Sequence, residues 1–558
     1  MANLKSAISN WQLAILLAFL PLIAYSQASE QDRVDRVMVI ADPHVFSTDL
    51  FSPYAGSFTS MMESQRKMLD ISEMVFNQLI DTALKYRPAL VLIPGDLTKD
   101  GEEKSLQVVQ EGIDRLREAN IPTLFIPGNH DIGGTAYRYF GSEPQQLPEA
   151  EMVTDNNWPR TFFYLYDMPD FEIDVDKVIG EERSLSYSIQ ALPHLTVLAI
   201  DGSHEKAAQG SLSDGTLRFL LDRADSARAK GDMIIAMSHW QLIDHFDQKS
   251  TLEPSCRFAN ADAIRDSLMH HGVHLVLTGH FHVNSISTWR DTTGLTNDSI
   301  VELSTGSPIT YPNPYRWLFI TKDRTTVHVR TDYINDIEDQ NIYRNTHWDF
   351  PSYSRDWMRV HTHNLIPTLA RKAWGKVDAK WDSDIVPKLQ TLGMGYLTDS
   401  LKKNLPQTDS ARIAITDRHL GEPAVELYLF HSRANEHENM EIGQMYAGLV
   451  YDGMENMMDE VLGKYKFLGV LFKPLAVSMA QPVVESLVRN ANLYNTDYES
   501  VTDDLHPVLM INSPVVEWGI TSPSLQGRSG EASKVLRDGH LYLLRNGKTY
   551  TVTGQEIR

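Results

Sequence analysis

Between residues 37 and 277 the chain carries six short apolar runs, at 37–40, 89–93, 123–126, 195–200, 233–237 and 273–277, and each ends in polar residues. Runs of four to six residues rich in Val, Ile and Leu are the pattern of strands buried on both faces. Segments 64–86 and 102–119 place apolar residues at helical spacing between them, and 214–228 does so more weakly. Strand–helix alternation of this kind restricts the chain to a layered α/β architecture. In α/β sheets, ligands bind outside the carboxyl ends of the strands. Here the runs are followed by Asp42-Pro43-His44, Gly95-Asp96, Gly128-Asn129-His130-Asp131, Asp201, Ser238-His239 and Gly279-His280-Phe281-His282. Almost every predicted strand delivers a metal-competent side chain at that end.

Cysteine usage narrows the chemistry. A single Cys, Cys256, in 558 residues excludes an intramolecular disulfide framework and any Cys-based zinc or iron–sulfur site. Any metal is therefore held by His, Asp, Glu or Asn, and the chain has 20 His to draw on. Asp-x-His offers a carboxylate and an imidazole to one cation, and Gly-Asp a second carboxylate where the glycine allows close backbone approach. Gly-Asn-His-Asp adds an amide oxygen, an imidazole and a further carboxylate. Gly-His-x-His puts two imidazoles on the same side of an extended segment. Mixed His, Asp and Asn ligands suit Mn, Fe, Zn or Ni. Two such cations about 3.5–4 Å apart, sharing a carboxylate, form the clamp used in phosphoryl transfer. Each piece is weak alone; five in fixed order, each just after a predicted strand, are not a chance arrangement.

Together these motifs resemble the complete set of the calcineurin-like metallophosphoesterase family, over roughly residues 34–320. The resemblance implies a four-layer β-sandwich flanked by helices, with a dinuclear centre at one edge. It places Asp42, His44, Asp96 and His282 on one metal, and Asp96 (bridging), Asn129, His239 and His280 on the other. The two ions would be divalent or trivalent, with Mn, Fe or Zn the expected identities. His130 resembles the histidine that approaches the phosphate and the leaving group, and Asp131 is expected to orient it by fixing its tautomer. In such a site a water bridging the metals attacks phosphorus in line while His130 assists the departing alkoxide. Asp201 matches no ligand position and reads as a turn residue; His204, His245, His270, His271 and His274 have no motif support.

The remaining segments set the context. Lys5, the apolar run 13–24 and the small residues after it read as a secretory signal peptide over 1–26, so the chain is expected to be exported, periplasmic or extracellular, with no transmembrane anchor after cleavage. The catalytic domain is expected over 34–335, with an aromatic-rich insertion at 133–188 that forms either its own small core or a wall over the site. A helix-rich region is expected over 336–515, and a linker with a terminal β-hairpin around Asn546-Gly547 over 521–558. The balance of 51 Lys+Arg against 73 Asp+Glu, net −22, argues against duplex nucleic acid as a partner. The expected substrate is a phosphate-ester small molecule or a lipid headgroup. Exported phosphodiesterases of the family it resembles also carry extra C-terminal helices, so the resemblance implies a diester, with a phosphomonoesterase, nucleotidase or pyrophosphohydrolase as alternatives on the same site. Tyr311, Tyr315 and Arg316, in the loop-like stretch 304–317, either reach the substrate or pack within that loop. A non-catalytic binding scaffold would lack a ligand position, and none is missing.

Overall fold

The computed structural model describes residues 34–374 apart from 64, 133–134, 147–171, 174–183, 204–208, 246–255 and 292–297, together with six short strands between 507 and 557. Segment 1–26, His204, most of 133–188 and most of 336–515 therefore lie outside the described residues.

All six apolar runs form strands. The first sheet contains β1 (Val34–Val39), β2 (Leu90–Pro94) and β3 (Thr123–Ile126), which run parallel to one another. A small hairpin, β4 (Tyr137–Phe140) with β5 (Pro144–Gln146), stands apart. The second sheet is formed by β6 (Glu172–Ile173), β7 (Tyr187–Leu192), β8 (Leu195–Ile200), β9 (Met233–Ser238), β10 (Leu275–Thr278), β11 (Ser285–Arg290) and β12 (Ser299–Ser304). Its order is β11-β12-β10-β9-β8-β7-β6, with β8, β9, β10 and β12 parallel. The chain then returns to the first sheet through β13 (Pro314–Thr321) and β14 (Thr326–Tyr333), and β13 pairs antiparallel with β1.

The two sheets face each other through β2 against β9 and β3 against β8. Side-chain alternation explains why the central strands read as unbroken apolar runs. Met233, Ile235 and Met237 of β9 and Leu275 and Leu277 of β10 share one buried cluster with Val37, Val39, Val91 and Ile93 of the first sheet. Ile234, Ala236 and Val276 point the other way, into a second cluster. That cluster lies under helices flanking the second sheet, while two further helices complete the first; the result is the mixed α/β fold with helices outside paired sheets. After α1 (Gly56–Glu63), helix α2 (Ser72–Tyr86) buries Val75, Phe76, Leu79, Ile80 and Ala83, and α3 (Glu103–Glu118) buries Leu106, Val109, Ile113 and Leu116. These are the spacings of one apolar helix face. On the second sheet sit α4 (Asp214–Lys230) and α5 (Ala261–His270). The α4 start is capped by the Ser213 hydroxyl, which accepts from Thr216 N–H, and its end by Gly231 at φ 78°.

The helix expected over 64–86 begins at Ser72 instead. Residues 65–68 are drawn out of helical conformation, with Met68 N–H donating to the Ile309 carbonyl (2.9 Å). The apolar core also runs past residue 335: Ile337, Tyr343 and Phe350 belong to the cluster between the sheets. The helix near 357–372 falls within α6 (Phe350–Trp374). Strand Pro507–Met510 extends the first sheet beyond β14, and His540–Arg545 pairs antiparallel with Lys548–Thr551 across Asn546-Gly547. No helix among the described residues is long and apolar enough to cross a membrane.

Candidate metal centre

Because the strands of each sheet's centre run parallel, their carboxyl ends lie on one edge, and the loops leaving β1, β2, β3, β9 and β10 meet there. Asp42, His44, Asp96 and His282 offer ligand atoms within 4.8 Å of one another, and Asp96, His239 and His280 form a second such group. Asn129 joins it, with Oδ1 2.9 Å from His239 Nε2. Asp96 is common to both groups. Five of these residues have backbone in the left-handed region: Asp42 (φ 50°), His44 (42°), Asp96 (49°), His280 (68°) and His282 (58°). Non-glycine residues there cost about 1–3 kcal/mol each and persist only where the surroundings impose them. The surroundings are visible. His44 N–H donates to the Asp96 carbonyl (2.9 Å), Val45 N–H to Leu97 (2.8 Å) and His280 N–H to Asp42 Oδ1 (2.8 Å).

Glycine lets these loops close on each other. A Cβ on Gly128 would stand 2.1 Å from Asp96 Oδ1, and one on Gly279 would stand 2.4 Å from Asp42 Oδ2. Gly128→Ala is accordingly expected to push Asp96 out of register and lower bound-metal content at least tenfold, measured by elemental analysis. Full metal content in that variant would refute the close-approach argument.

Whether cations suit the cluster can be judged from its hydrogen bonding. His239 Nδ1 lies 3.1 Å from the Pro94 carbonyl, so that nitrogen carries the proton and Nε2 presents a bare lone pair. That lone pair faces Asn129 Oδ1, His280 Nδ1 (3.0 Å) and Asp96 Oδ2 (3.4 Å). His44 Nε2 and His282 Nε2 approach to 2.9 Å, each near a carboxylate oxygen. Burial, then the Lys67 charge, hold His44 and His282 well below the ordinary histidine value, so both are neutral. Asp42 Oδ2 is buried with no hydrogen-bond partner, and burial, with Asp96 adding to it, pushes its carboxyl up to about 7 against the pull of His239. Ring nitrogens, an amide oxygen and carboxylate oxygens converge here at 2.9–3.6 Å, and a pair of cations suits such a set of ligand atoms.

The partner of His130 differs from the one expected. Asp131 does not touch the His130 ring. Its carboxylate is buried and accepts from Gly128 N–H (2.8 Å), Leu97 N–H (3.0 Å), Thr98 N–H (2.8 Å) and the Thr98 hydroxyl (2.7 Å), tying the β2 loop to the β3 loop. Asp100 takes the expected role: its Oδ1 lies 2.7 Å from His130 Nδ1. Adjacent residues in an irregular loop point in different directions, so chain proximity misassigned the carboxylate. Asp100 is in turn paired with Lys99, which also faces Glu102 and lies 5.4–5.8 Å from the ring centroids of Phe46, Tyr137 and Phe140. Burial and Lys67 lower the His130 pKa, but Asp96 and Asp100 outweigh them and it is raised, favouring imidazolium. Lys67, unmarked in the sequence, sits with Nζ 3.5 Å from His130 Nε2. Burial lowers its ammonium from the ordinary value while Asp100 and Asp96 pull it back.

Other expectations sort as follows. Asp201 accepts from Leu185 and Ser203 N–H and is a turn residue. Arg316 is buried on β13 with Nε bonded to Thr331 Oγ1 (3.2 Å), Tyr311 is buried and Tyr315 packs near Trp317, so the 304–317 stretch is a packed brace. Its Ser307 hydroxyl donates to the Asp42 carbonyl (2.6 Å). His270 faces Asp291, His271 faces Asp225 and His274 faces the Ser299 carbonyl, each outside the two ligand groups.

His245 is part of a buried brace. Its Nε2 lies 2.9 Å from Glu302 Oε1, and Glu302 also accepts from Leu242 N–H, Ile243 N–H and the Thr278 hydroxyl, fixing the loop after His239 to β12 and β10. Burial alone would raise the Glu302 carboxyl, but His245 and these N–H groups hold it below the ordinary glutamate value. The brace therefore stabilises the fold above the glutamate range, and its contribution is lost as pH falls through the lowered value. Glu302→Ala strands these donors and is expected to cost roughly 3–5 kcal/mol. Thermal melting should register this as a fall on the order of 10 °C; an unchanged midpoint would refute the assignment.

The sequence profile of the family described as calcineurin-like phosphoesterase matches residues 35–284. This stretch is a calcineurin-like phosphoesterase domain. The match covers somewhat under half of the chain, and the phosphoester chemistry in the family's name belongs to that matched stretch. No curated protein matches the sequence. The phosphoesterase domain is similar in structure to a dimetal phosphatase from Danio rerio, at 13% identity and TM-score 0.37, covering 54% of this chain and 96% of that one. It is also similar to a purple acid phosphatase from yellow lupin seeds, at 14% identity and TM-score 0.35, covering 54% and 51%. A third likeness is to an NAD nucleotidase from Haemophilus influenzae, at 10% identity and TM-score 0.26, covering 54% and 49%.

Proposed function

We propose that this phosphoesterase holds two cations, one between Asp42, His44, Asp96 and His282 and the other between Asp96, Asn129, His239 and His280, and hydrolyses a phosphate ester there. The observation that carries the reading is the convergence of four imidazoles, an amide oxygen and two buried carboxylates into two groups that share Asp96. When bound, two cations supply Lewis acidity to the phosphoryl oxygens and to the attacking water, and offset the repulsion between an acidic protein and an anion.

The chain's own groups do the rest. His239 is kept in the tautomer that directs Nε2 inward by its Nδ1–H bond to Pro94. His130, with Nδ1–H donated to Asp100, presents Nε2 to the site and carries the proton that the departing ester oxygen needs. The water oxygen bonds to phosphorus and gives up one proton to solvent, the ester P–O bond breaks, the proton on His130 Nε2 passes to the leaving oxygen, and His130 is reprotonated from solvent. Asp100 and Lys99 hold the imidazole in place, and no covalent phosphoenzyme is required.

The metals are expected to be Mn, Fe or Zn, given oxygen and nitrogen donors without sulfur. The reading keeps 1–26 as an export signal, 34–335 as the catalytic unit, 336–515 as a helix-rich domain and 521–558 as a linker with a terminal β-hairpin. The sequence favours a diester on the strength of C-terminal segments outside the described residues, so the choice between diester and monoester falls to the site itself.

Elemental analysis of the purified full chain is the direct test, followed by assay on bis-p-nitrophenyl phosphate, p-nitrophenyl phosphate, cyclic nucleotides and phosphocholine lipids. About two metals per chain with chelator-sensitive turnover is the expected result. A metal-replete protein inactive on all four classes would return the domain to the scaffold reading.

A further inference from the structure

Lys67 is the cation that the metal centre leaves unmatched. The neighbouring Lys99 is neutralised by Asp100 and Glu102. Among the described residues no carboxylate lies within ion-pair distance of Lys67, and its Nζ has a single close polar neighbour, His130 Nε2 at 3.5 Å. It is half-buried and placed firmly: Met68, the next residue, is buried and its N–H is bonded to Ile309, within the stretch whose Ser307 also holds Asp42. The Lys67 ammonium and His130 Nε2, whose ring is already engaged through Nδ1 with Asp100, therefore face one volume beside the ligand groups. An ammonium with no carboxylate beside it gains most from an anionic oxygen, because charge-assisted bonds are the strong ones.

We propose that Lys67 binds a third anionic oxygen of the substrate phosphate, so that the enzyme prefers a phosphomonoester dianion to a phosphodiester. The proposal rests on the phosphoesterase reading of the same site. A diester phosphate has two non-bridging oxygens, and a cation held in each ligand group would match those two. A monoester dianion has three, and the third requires a donor that is not a metal. At the corresponding place a diester carries an esterified oxygen, a poor acceptor bearing a substituent, against which an ammonium gains little. Lys67 thus decides between the two classes without taking part in metal binding, and His130 remains free to serve the leaving oxygen.

The test compares wild type with Lys67→Met and Lys67→Arg as full-length, metal-replete protein, with metal content checked in each. Calorimetry with inorganic phosphate reads binding, and kcat/KM on p-nitrophenyl phosphate against bis-p-nitrophenyl phosphate reads selectivity. Wild type should favour the monoester by at least about tenfold. Lys67→Met should weaken phosphate binding and monoester kcat/KM by about ten- to a hundredfold while changing the diester by less than about threefold. Lys67→Arg, which restores a cation, should regain most of both losses. A wild type that prefers the diester overturns the proposal and leaves the phosphoesterase reading intact, as does equal loss on both substrates or unaltered phosphate binding in Lys67→Met. A metal-replete wild type inactive on both esters overturns the phosphoesterase reading, and this proposal with it.

Discussion

Asp96→Asn protein is expected to keep its fold, emerge from purification without its metals, and lose ester hydrolysis by about a thousandfold or more. Asp96 is the residue shared by the two ligand groups, with Oδ2 3.5 Å from His44 Nε2 and 3.4 Å from His239 Nε2. Its other oxygen accepts from His130 N–H (2.9 Å). Burial works against its charge, yet His239 and His130 keep its pKa below the ordinary aspartate value. The asparagine side chain preserves shape and the Oδ1 bond and removes only the charge and one metal-competent oxygen. Asparagine also tolerates the left-handed backbone at this position (φ 49°) better than most residues. Metal content, thermal melting and turnover on the same preparation separate loss of the centre from loss of the fold. Two metals per chain with a tenth of wild-type activity would sink the bridging assignment.

His130→Ala should leave metal content unchanged and lower turnover by about 10²–10⁴-fold, the range of a positioned general acid. His130 belongs to neither ligand group, and its ring is oriented through Asp100. The loss should grow with the basicity of the leaving group: an alkyl ester, whose alkoxide needs the proton, suffers more than p-nitrophenyl phosphate, whose phenolate leaves without it. Asp100→Asn removes the anchor and is expected to cost about ten- to a hundredfold. Asp131→Asn should act on stability instead, because that carboxylate gathers Gly128, Leu97 and Thr98. A leaving-group dependence that steepens in Asp131→Asn and not in Asp100→Asn would restore the pairing read from the sequence.

The strands and the side chains that cluster at their ends were legible because they rest on local pattern. A strand buried on both faces must be apolar throughout, as β9 and β10 are, and the polar residue that ends such a run is thereby brought to the sheet edge. Glu302 left a faint local signal, a carboxylate inside the apolar run of β12. Lys67 left none, since residues 65–68 read as the start of a helix and are held out of it by a bond to Ile309, from a distant part of the chain. Asp100 lay four residues beyond Asp96 and was passed over for Asp131, the immediate neighbour of His130.

Order along the chain by itself determined the α/β layering, the absence of cysteine from the candidate site and the seven side chains that meet at one edge. The tertiary structure alone decided which carboxylate orients His130, what braces the His239 loop and where an unpaired ammonium stands. The physical reason is directional. Periodicity tells which face of a strand or helix a side chain takes, whereas in turns with left-handed residues each side chain's direction is set by contacts between loops far apart in sequence.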